Sequence, residues 1–446
     1  MPSLRRCTAC GTREDPGPAE GGLCVTTTAG ERPASRAGTV GWLAAVRHSL
    51  DRPLTSYYLL LGASTLLLTI GLMEVLSASS VDGYVKHGNS YYWFLRQLTW
   101  VLLALPVAFL ATRLPHRVLR RLAWPALLGS VVLLALTQGP MGVQVNGNKN
   151  WLSLGPIVIQ PAEIAKLAII LWCADVYARK EKLLDQWKHT LVPVAPVCAV
   201  IIGLVLKGGD LGTALVLMAI VLGMLWVVGA PVRLFVGSLL TVGVFALYVA
   251  STSKERLERL TTFADPFKDY QGAGWQAAHG IFAFSSGGLF GKGISASQQK
   301  WGSLPEAHTD FILAVLGEEL GLVGTLLVLG LFLTIAYAGI RVAVRTPDPF
   351  VRYMAAGITI WLTAQMMINV GMVLALLPVI GLPLPLVSYG GSALLPSLVA
   401  LGLLVSFARS EPGAKAALQA RKRRRSAGVT AGGGLPGGRS AQGRTR

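Results

Sequence analysis

Residues 353–408 read YMAAGITIWLTAQMMINVGMVLALLPVIGLPLPLVSYGGSALLPSLVALGLLVSFA, 56 residues without one Asp, Glu, Lys or Arg. About 20 apolar residues carry a helix across the hydrocarbon core of a bilayer. The stretch therefore holds two crossings joined by a Pro- and Gly-rich turn. Inside lipid the backbone must satisfy its own polar groups, which leaves helices or a closed barrel. Long apolar runs that do not alternate exclude the barrel. The same signal extends along the chain: Leu191 to Ala250 contains only Lys207, Asp210 and Arg233 as charged residues. Of the 446 residues, 52% are hydrophobic and 14% charged, against roughly 25% charged in soluble domains. Mean hydropathy is +0.55. These values exclude a disordered chain, a coiled coil and an ordinary soluble enzyme. The net charge of +18 is spread over loops and tails. A nucleic-acid groove needs it clustered on a folded face, so no nucleic-acid partner is expected. The fold class is an all-α polytopic membrane protein.

Ten spans are predicted, near 54–80, 92–112, 118–138, 160–178, 190–206, 211–229, 231–250, 311–338, 353–376 and 386–408. Residues 54–410 form the membrane domain. Residues 1–53 are a polar, Pro/Gly-rich tail with no cleavable signal, so the first span acts as its own insertion signal. Residues 411–446 form a basic tail, in which Arg421-Lys422-Arg423-Arg424-Arg425 serves as a topology anchor that attracts anionic membrane lipid. With the N-terminus inside, cytoplasmic segments hold 29 of the 40 lysines and arginines and external loops hold 9. By the positive-inside rule both termini are cytoplasmic. Cys7 and Cys10 form a C-x-x-C without a second pair at zinc spacing. Cys173 and Cys198 lie in apolar runs and read as packing residues. No internal repeat is visible.

One external segment, 251–310, is far longer than the others, and long loops in compact proteins are commonly functional. Its many aromatics, among them Phe263, Trp275 and Trp301, call for packing as short helices on the membrane surface. It ends in Leu304-Pro305-Glu306-Ala307-His308-Thr309-Asp310, just before an apolar helix. Asp310 is thus either an N-cap or, with Glu306 and His308, part of a general base or a divalent-cation site. Glu163 and Lys166, three apart, share a helix face and can pair. Glu318 and Glu319 are adjacent within a span, so at least one needs a buried partner or a water cavity. Asp210 reads as a cap. Glu74 and Arg96 also fall within spans, where ionisable groups are costly; for most of these groups structural ion pairing is the expectation. Asn146 through Gln160 is a turn-rich loop that offers Lys149 to a phosphate and Trp151 to the interface. Pro378 through Gly391 is an uncharged turn whose prolines break helices.

Several of these segments resemble one family. LPEAHTDFI…GEELG at 304–321, FADP at 263–266, NGNKNW…LG…QPAEIAK at 146–166, GGDLGTA at 208–214 and NVGMV…LPVIGLPLPLVSYGGS at 369–392 look like the motifs of the SEDS family of FtsW, RodA and SpoVE, over roughly residues 55–410. The resemblance implies a peptidoglycan glycosyltransferase. Such an enzyme polymerises lipid II at the outer face of the cytoplasmic membrane and releases undecaprenyl pyrophosphate. It also implies that Asp310, in the HTD motif, is the catalytic residue. LSASS at 76–80, QKWGSLPEAHTD at 299–310 and FARSEP at 407–412 are more similar to the division branch (FtsW) than to the elongation branch (RodA). The division branch works with an FtsI-like class B penicillin-binding protein, the transpeptidase, and other divisome proteins at the septum. One departure is Asn150, where family members often carry Arg, which leaves Lys149 as the motif's only cation.

The residues agree with that chemistry. A glycosidic bond forms when a base takes the acceptor hydroxyl's proton and cations stabilise the leaving pyrophosphate. Asp310 can be the base or help hold Mg²⁺ or Mn²⁺; no organic cofactor is expected. Lys149, Lys166, Lys292, Lys300, Arg256 and Arg259 are candidate pyrophosphate partners, and Trp151, Glu306 and His308 are candidate substrate contacts. Two other functions compete: a lipid II flippase, which would keep its ionisable groups near the midplane, and a non-enzymatic divisome scaffold.

Overall fold

A computed structural model of the chain describes residues 52–420 apart from 146–147, 156, 185, 253, 264 and 273. The readings of Cys7, Cys10 and the Arg421–Arg425 run lie outside the described residues. Helix α1 is Thr55–His87, α2 Tyr92–Arg113 and α3 His116–Thr137. A three-stranded antiparallel sheet follows, with β1 Gly142–Val145, β2 Asn148–Leu154 and β3 Ile157–Ile159 in the order β1-β2-β3. Then come α4 Pro161–Arg179, α5 Trp187–Leu191, α6 Ala195–Lys207, α7 Leu211–Val227 and α8 Val232–Ser251. The long loop carries α9 Lys254–Thr262 and α10 Trp275–Gly287. The chain continues with α11 Ile312–Arg345, α12 Pro349–Val373 and α13 Gly391–Ser410.

All ten predicted spans are helical. Eight are long and apolar enough to cross a membrane by themselves, α5 and α6 counting together as Trp187–Lys207. The other two are explained by their residues. Helix α7 has only 17 residues, and α4 carries Glu163, Lys166, Asp175 and Arg179, three of them buried. Helix α4 packs against α3, α12 and α7, so its charges are enclosed by protein rather than lipid. Arg120 and Arg179 both bond Asp175, each at 2.8 Å. Cys173 and Cys198 are free and buried, as a packing role requires.

Several boundaries depart from the sequence reading for local reasons. Helix α1 runs on to His87 and stops at Gly88, whose φ of 68° is the left-handed helix-ending conformation. Pro193 interrupts the fifth span, separating α5 from α6. The last helix starts at Gly391 rather than near 386, because a buried non-helical turn occupies 384–388: Leu384 N donates to Ser388 Oγ at 2.8 Å, and Ser388 N donates back to Leu384 O at 3.0 Å. The 142–159 segment, expected as a turn-rich loop, is the small sheet.

Helix α11 is broken at Gly321, where φ is 69° and ψ is −164°. The loop segment 288–293 fills the break. Lys292 N and Gly293 N donate to Glu318 O and Glu319 O, each at 3.0 Å, while Leu322 N and Val323 N donate to Gly288 O and Leu289 O at 3.0 and 3.1 Å. Both helix ends thus find partners that the break would otherwise leave unsatisfied. A Cβ on Gly321 would stand 2.3 Å from Gly291 N, so the approach requires glycine. The expectation that α9 and α10 are helices in the long loop is met.

Candidate functional site at one end of the bundle

Three separated segments converge at one end of the bundle: the turn before α7, the loop before α11 and the turn before α13. Gly212 packs against Ile380 and Leu382, and a Cβ on Gly381 would lie 3.4 Å from Asp310 Oδ2. Asn369 on α12 ties two of the segments together, its Nδ2 donating to Asp310 O at 2.9 Å and to Leu382 O at 2.6 Å.

The turn at 378–390 has no regular structure, yet residues 384–388 are all buried. Irregular backbone at membrane depth is tolerated only where protein satisfies it, and here side-chain amides do so. Gln365 Nε2 donates to Pro383 O at 2.9 Å, and Gln97 Nε2 to Ser388 O at 3.3 Å. Gln365 is held in turn by Lys166 Nζ at 2.9 Å and by Trp361 Nε1 at 2.8 Å. Lys166 also donates to Glu163 Oε1 at 2.7 Å. The predicted Glu163–Lys166 pair therefore exists, and it braces the turn. Its amine is fully buried and closed to an entering phosphate.

Asp310 does not cap α11. The N-cap is Phe311, and it makes no side-chain cap bond. The Asp310 carboxylate accepts no hydrogen bond among the described residues and keeps part of its surface accessible. Burial, then the negative charges of Glu306 and Asp210, push its pKa up to about 7. Asp210, read from the sequence as a cap, is one: its carboxylate accepts from Thr213 N and Thr213 Oγ1, each at 2.8 Å, and from Gln160 Nε2 at 3.0 Å.

Glu306 takes a left-handed φ of 56° and accepts a hydrogen bond from Thr309 Oγ1 at 2.6 Å. The rings of His308, Trp93 and Tyr389 form a triangle, with centroids 5.4 Å (His308–Trp93), 5.6 Å (His308–Tyr389) and 5.2 Å (Trp93–Tyr389) apart. Burial holds the His308 imidazole below its usual pKa, so it is neutral at pH 7. Its carbonyl accepts from Tyr389 N at 2.9 Å.

The other candidates occupy different places. Lys149 N donates to Gly208 O at 2.9 Å and its Nζ to Gln138 O at 3.3 Å, so the sheet rests on the turn before α7. Trp151 is half-buried in β2, paired with Val143. The side chain of Arg256 lies outside the described structure. Arg259 is exposed and donates to Val379 O at 3.5 Å, on the turn that touches Asp310.

Lys292 and Lys300 sit at the break in α11 rather than beside Asp310. Lys292 pairs with Glu318 at 2.8 Å and Lys300 with Glu319 at 3.2 Å. Ser297 Oγ donates to Glu318 at 2.6 Å, and Ser77 Oγ to Glu319 at 2.6 Å. The adjacent glutamates thus have the buried partners their position demands, and together they fasten the long loop to α11 and α1. Glu74 is buried without a hydrogen-bond partner among the described residues, an exception to the pairing expected for most groups within spans.

Sequence reasoning assigned no role to Gln365 and Gln97, and quoted Asn369 only as the start of a motif. The available signal was amides in otherwise apolar spans, where an uncommitted amide is costly. It also missed Trp93, brought beside His308 only by the fold.

A resident metal cage does not fit. Among the described residues no group of three or more His, Cys, Asp or Glu side chains could hold an ion. A cation carried by a pyrophosphate does fit, because Mg²⁺ is commonly bound by one or two carboxylates together with substrate phosphates. In that alternative to a base role, Asp310 would hold it and the cation would offset the leaving group's charge.

The model of the FtsW/RodA/SpoVE family, described as cell cycle protein, matches residues 57–412. A probable peptidoglycan glycosyltransferase FtsW of Mycobacterium tuberculosis is 38% identical over 372 residues, covering 83% of this chain and 71% of that protein. Stage V sporulation protein E of Bacillus subtilis is 35% identical over 357 residues, covering 79% and 96%. Among solved structures, the Thermus thermophilus rod shape determining protein RodA superposes with a TM-score of 0.59 at 30% identity, covering 80% of this chain and 97% of that one. A chain from a study titled as the structural coordination of polymerization and crosslinking by a peptidoglycan synthase complex superposes with a TM-score of 0.65 at 29% identity, covering 79% and 97%.

Proposed function

Since the chain belongs to the FtsW/RodA/SpoVE family of cell cycle proteins, we propose that it is a peptidoglycan glycosyltransferase that joins lipid II units into glycan strands, with Asp310 as the general base. The observation that carries the base assignment is the Asp310 carboxylate: on a half-buried residue, without a hydrogen-bond partner among the described residues, and with a pKa raised to about 7. A base works best when its pKa lies near the operating pH. In the transfer, a sugar hydroxyl attacks the anomeric carbon of a second lipid-linked sugar. The new C–O bond forms as the bond to pyrophosphate breaks. The pyrophosphate leaves with the electron pair as undecaprenyl pyrophosphate, and the hydroxyl proton passes to Asp310 Oδ.

The remaining residues have supporting roles. Arg259, exposed on α9 and bonded to Val379 O on the turn beside Asp310, and Lys149 are the cations proposed for the leaving pyrophosphate. Lys292 and Lys300 hold the loop in shape, and Lys166 holds Gln365. Asn369 and Gln365 keep the 378–390 turn against Asp310. Trp93, His308 and Tyr389 form an aromatic wall along the approach. Any Mg²⁺ or Mn²⁺ arrives with the pyrophosphate.

The protein is a multi-pass membrane protein, and we place both termini in the cytoplasm on the lysine and arginine bias, with the Asp310 end outside. Similarity to a chain of a peptidoglycan synthase complex supports a transpeptidase partner of the class B penicillin-binding type. The division-like motifs favour work at the septum. The test is lipid II polymerisation by the purified protein in detergent, with and without that partner, beside lipid II transport across vesicles. Glycan strands made by wild type support the enzyme. Transport without any strand, under either condition, would hand the function to the flippase reading.

A further inference from the structure

The segment that fills the break in α11 has a second property. Between Glu319 and Arg341, α11 carries no charged residue. At 1.5 Å per residue those 21 positions cover about 30 Å, the thickness of a hydrocarbon core. The two charges therefore bracket the acyl region, and Gly321 stands at its boundary on the Asp310 side. Residues 288–293 are bonded to the main chain at that depth, through Glu318 O, Glu319 O, Leu322 N and Val323 N.

Their side chains are apolar and uncovered. Phe290 is 82% exposed and Leu289 62%, alongside Leu322 and Val323 at 48% and 55% on the exposed apolar side of α11. Leu289 and Phe290 thus continue the exposed apolar surface of a helix long and apolar enough to cross a membrane. Lys292 lies on the other side of the boundary and is occupied by Glu318. Gly288, Gly291 and Gly293 all take left-handed φ values, of 56°, 78° and 104°, which give the segment the tight course needed to enter and leave the break.

We infer that residues 288–293 form a re-entrant lipid anchor, with Leu289 and Phe290 inserted among acyl chains at the membrane boundary. Apolar side chains at such a boundary bury a few ångströms into the headgroup–acyl region. The occupant is the bilayer itself, as depth and continuity with α11 indicate. The anchor fixes the height of the loop that ends at Asp310. The lipid contact stands without the polymerase reading.

The test uses a nitroxide attached to Phe290→Cys in the full chain, reconstituted in liposomes, with Cys7, Cys10 and Cys24 changed to serine. Cys173 and Cys198 are buried and stay. Collision with oxygen reports acyl chains, and collision with a water-soluble nickel chelate reports solvent. Leu322→Cys serves as the lipid standard, and Lys268→Cys, 81% exposed at its side chain, as the water standard. The oxygen-to-nickel ratio at position 290 is expected to match Leu322→Cys and to exceed Lys268→Cys several-fold, because an interfacially buried side chain meets acyl chains rather than water. A ratio like that at Lys268 overturns the inference. Protection from both agents also overturns it, because a protein then covers the segment. Leu289→Cys carries the same expectation and stands in if Phe290→Cys misfolds. Polymerisation by unlabelled Phe290→Cys is scored separately, so failure of the anchor and failure of the enzyme reading give different results.

Discussion

The pH dependence of strand synthesis exposes the working carboxylate most clearly. With the Asp310 pKa near 7, half of the free enzyme carries an ionised base at neutral pH. Turnover at limiting substrate should then climb about tenfold per pH unit below 7 and level off above 8. An ordinary carboxylate near 4 would give a flat profile over that range. Glu306 and Asp210 both raise the value by charge repulsion. Glu306→Gln and Asp210→Asn should each move the acid limb to lower pH, Glu306→Gln the further, since its charge contributes more. Stability has the matching sign. Folding raises this pKa from 3.8 to about 7, so the folded state is favoured where Asp310 is protonated. The cost of ionising it grows from pH 4 to 7 and is constant above. The full shift corresponds to an upper bound of about 4 kcal/mol at 1.36 kcal/mol per unit, which solvent access reduces to about 1–2 kcal/mol. Asp310→Asn should therefore melt higher than wild type at pH 8 and close to wild type at pH 4. The assay is initial-rate lipid II polymerisation from pH 5 to 9 with melting curves on the same samples. A flat profile between 5.5 and 8, or an acid limb that Glu306→Gln moves upward, refutes the assignment of base and neighbours.

Three further substitutions probe the supports. Asn369→Leu keeps the branched shape of the side chain but removes both donated bonds, leaving two carbonyls unpaired at about 1–3 kcal/mol each; a kcat reduced about tenfold or more at little-changed KM would match a positioning role, whereas full activity would refute it. Lys166→Met strands Glu163 in the core, and losing one partner of a buried pair costs about 3–5 kcal/mol, so thermal stability should drop sharply; Glu163→Gln with Lys166→Met together should recover part of it. Gly381→Ala sets a methyl group at 3.4 Å from Asp310 Oδ2 in a left-handed backbone; strand synthesis should fall while the melting temperature changes by only a few degrees, and unaltered synthesis would mean that acceptors approach Asp310 from another side.

Much of this arrangement could be read from the chain because membrane crossing is a constraint of length and composition. The charge-free run 353–408 yields α12, the turn and α13 with little ambiguity. The Glu163–Lys166 spacing yields a pair, and Asp210 before Leu-Gly-Thr yields a cap. What stayed hidden depends on distance in space. Lys292 and Lys300 look like free loop cations until Glu318 and Glu319 meet them at the broken helix. Nothing in Leu-Gly at 320–321 announces that a loop will enter there, because the apolar period continues on both sides. Asp310, two residues ahead of the helix it precedes, reads as a cap by type alone, but the actual start leaves its carboxylate unbonded. The strands at 142–159 were missed because Asn and Gly interrupt them and they are too short to show alternation.

The central claim is that one carboxylate, Asp310, takes the proton in strand synthesis. Turnover of lipid II by wild type, Asp310→Ala and Asp310→Asn, measured in the presence of the transpeptidase partner on folded, monodisperse protein, tests it most directly. The account predicts strands from wild type and a loss of at least about 100-fold in both variants, the size expected when a general base is removed. Polymerisation by Asp310→Asn within a few-fold of wild type would contradict it.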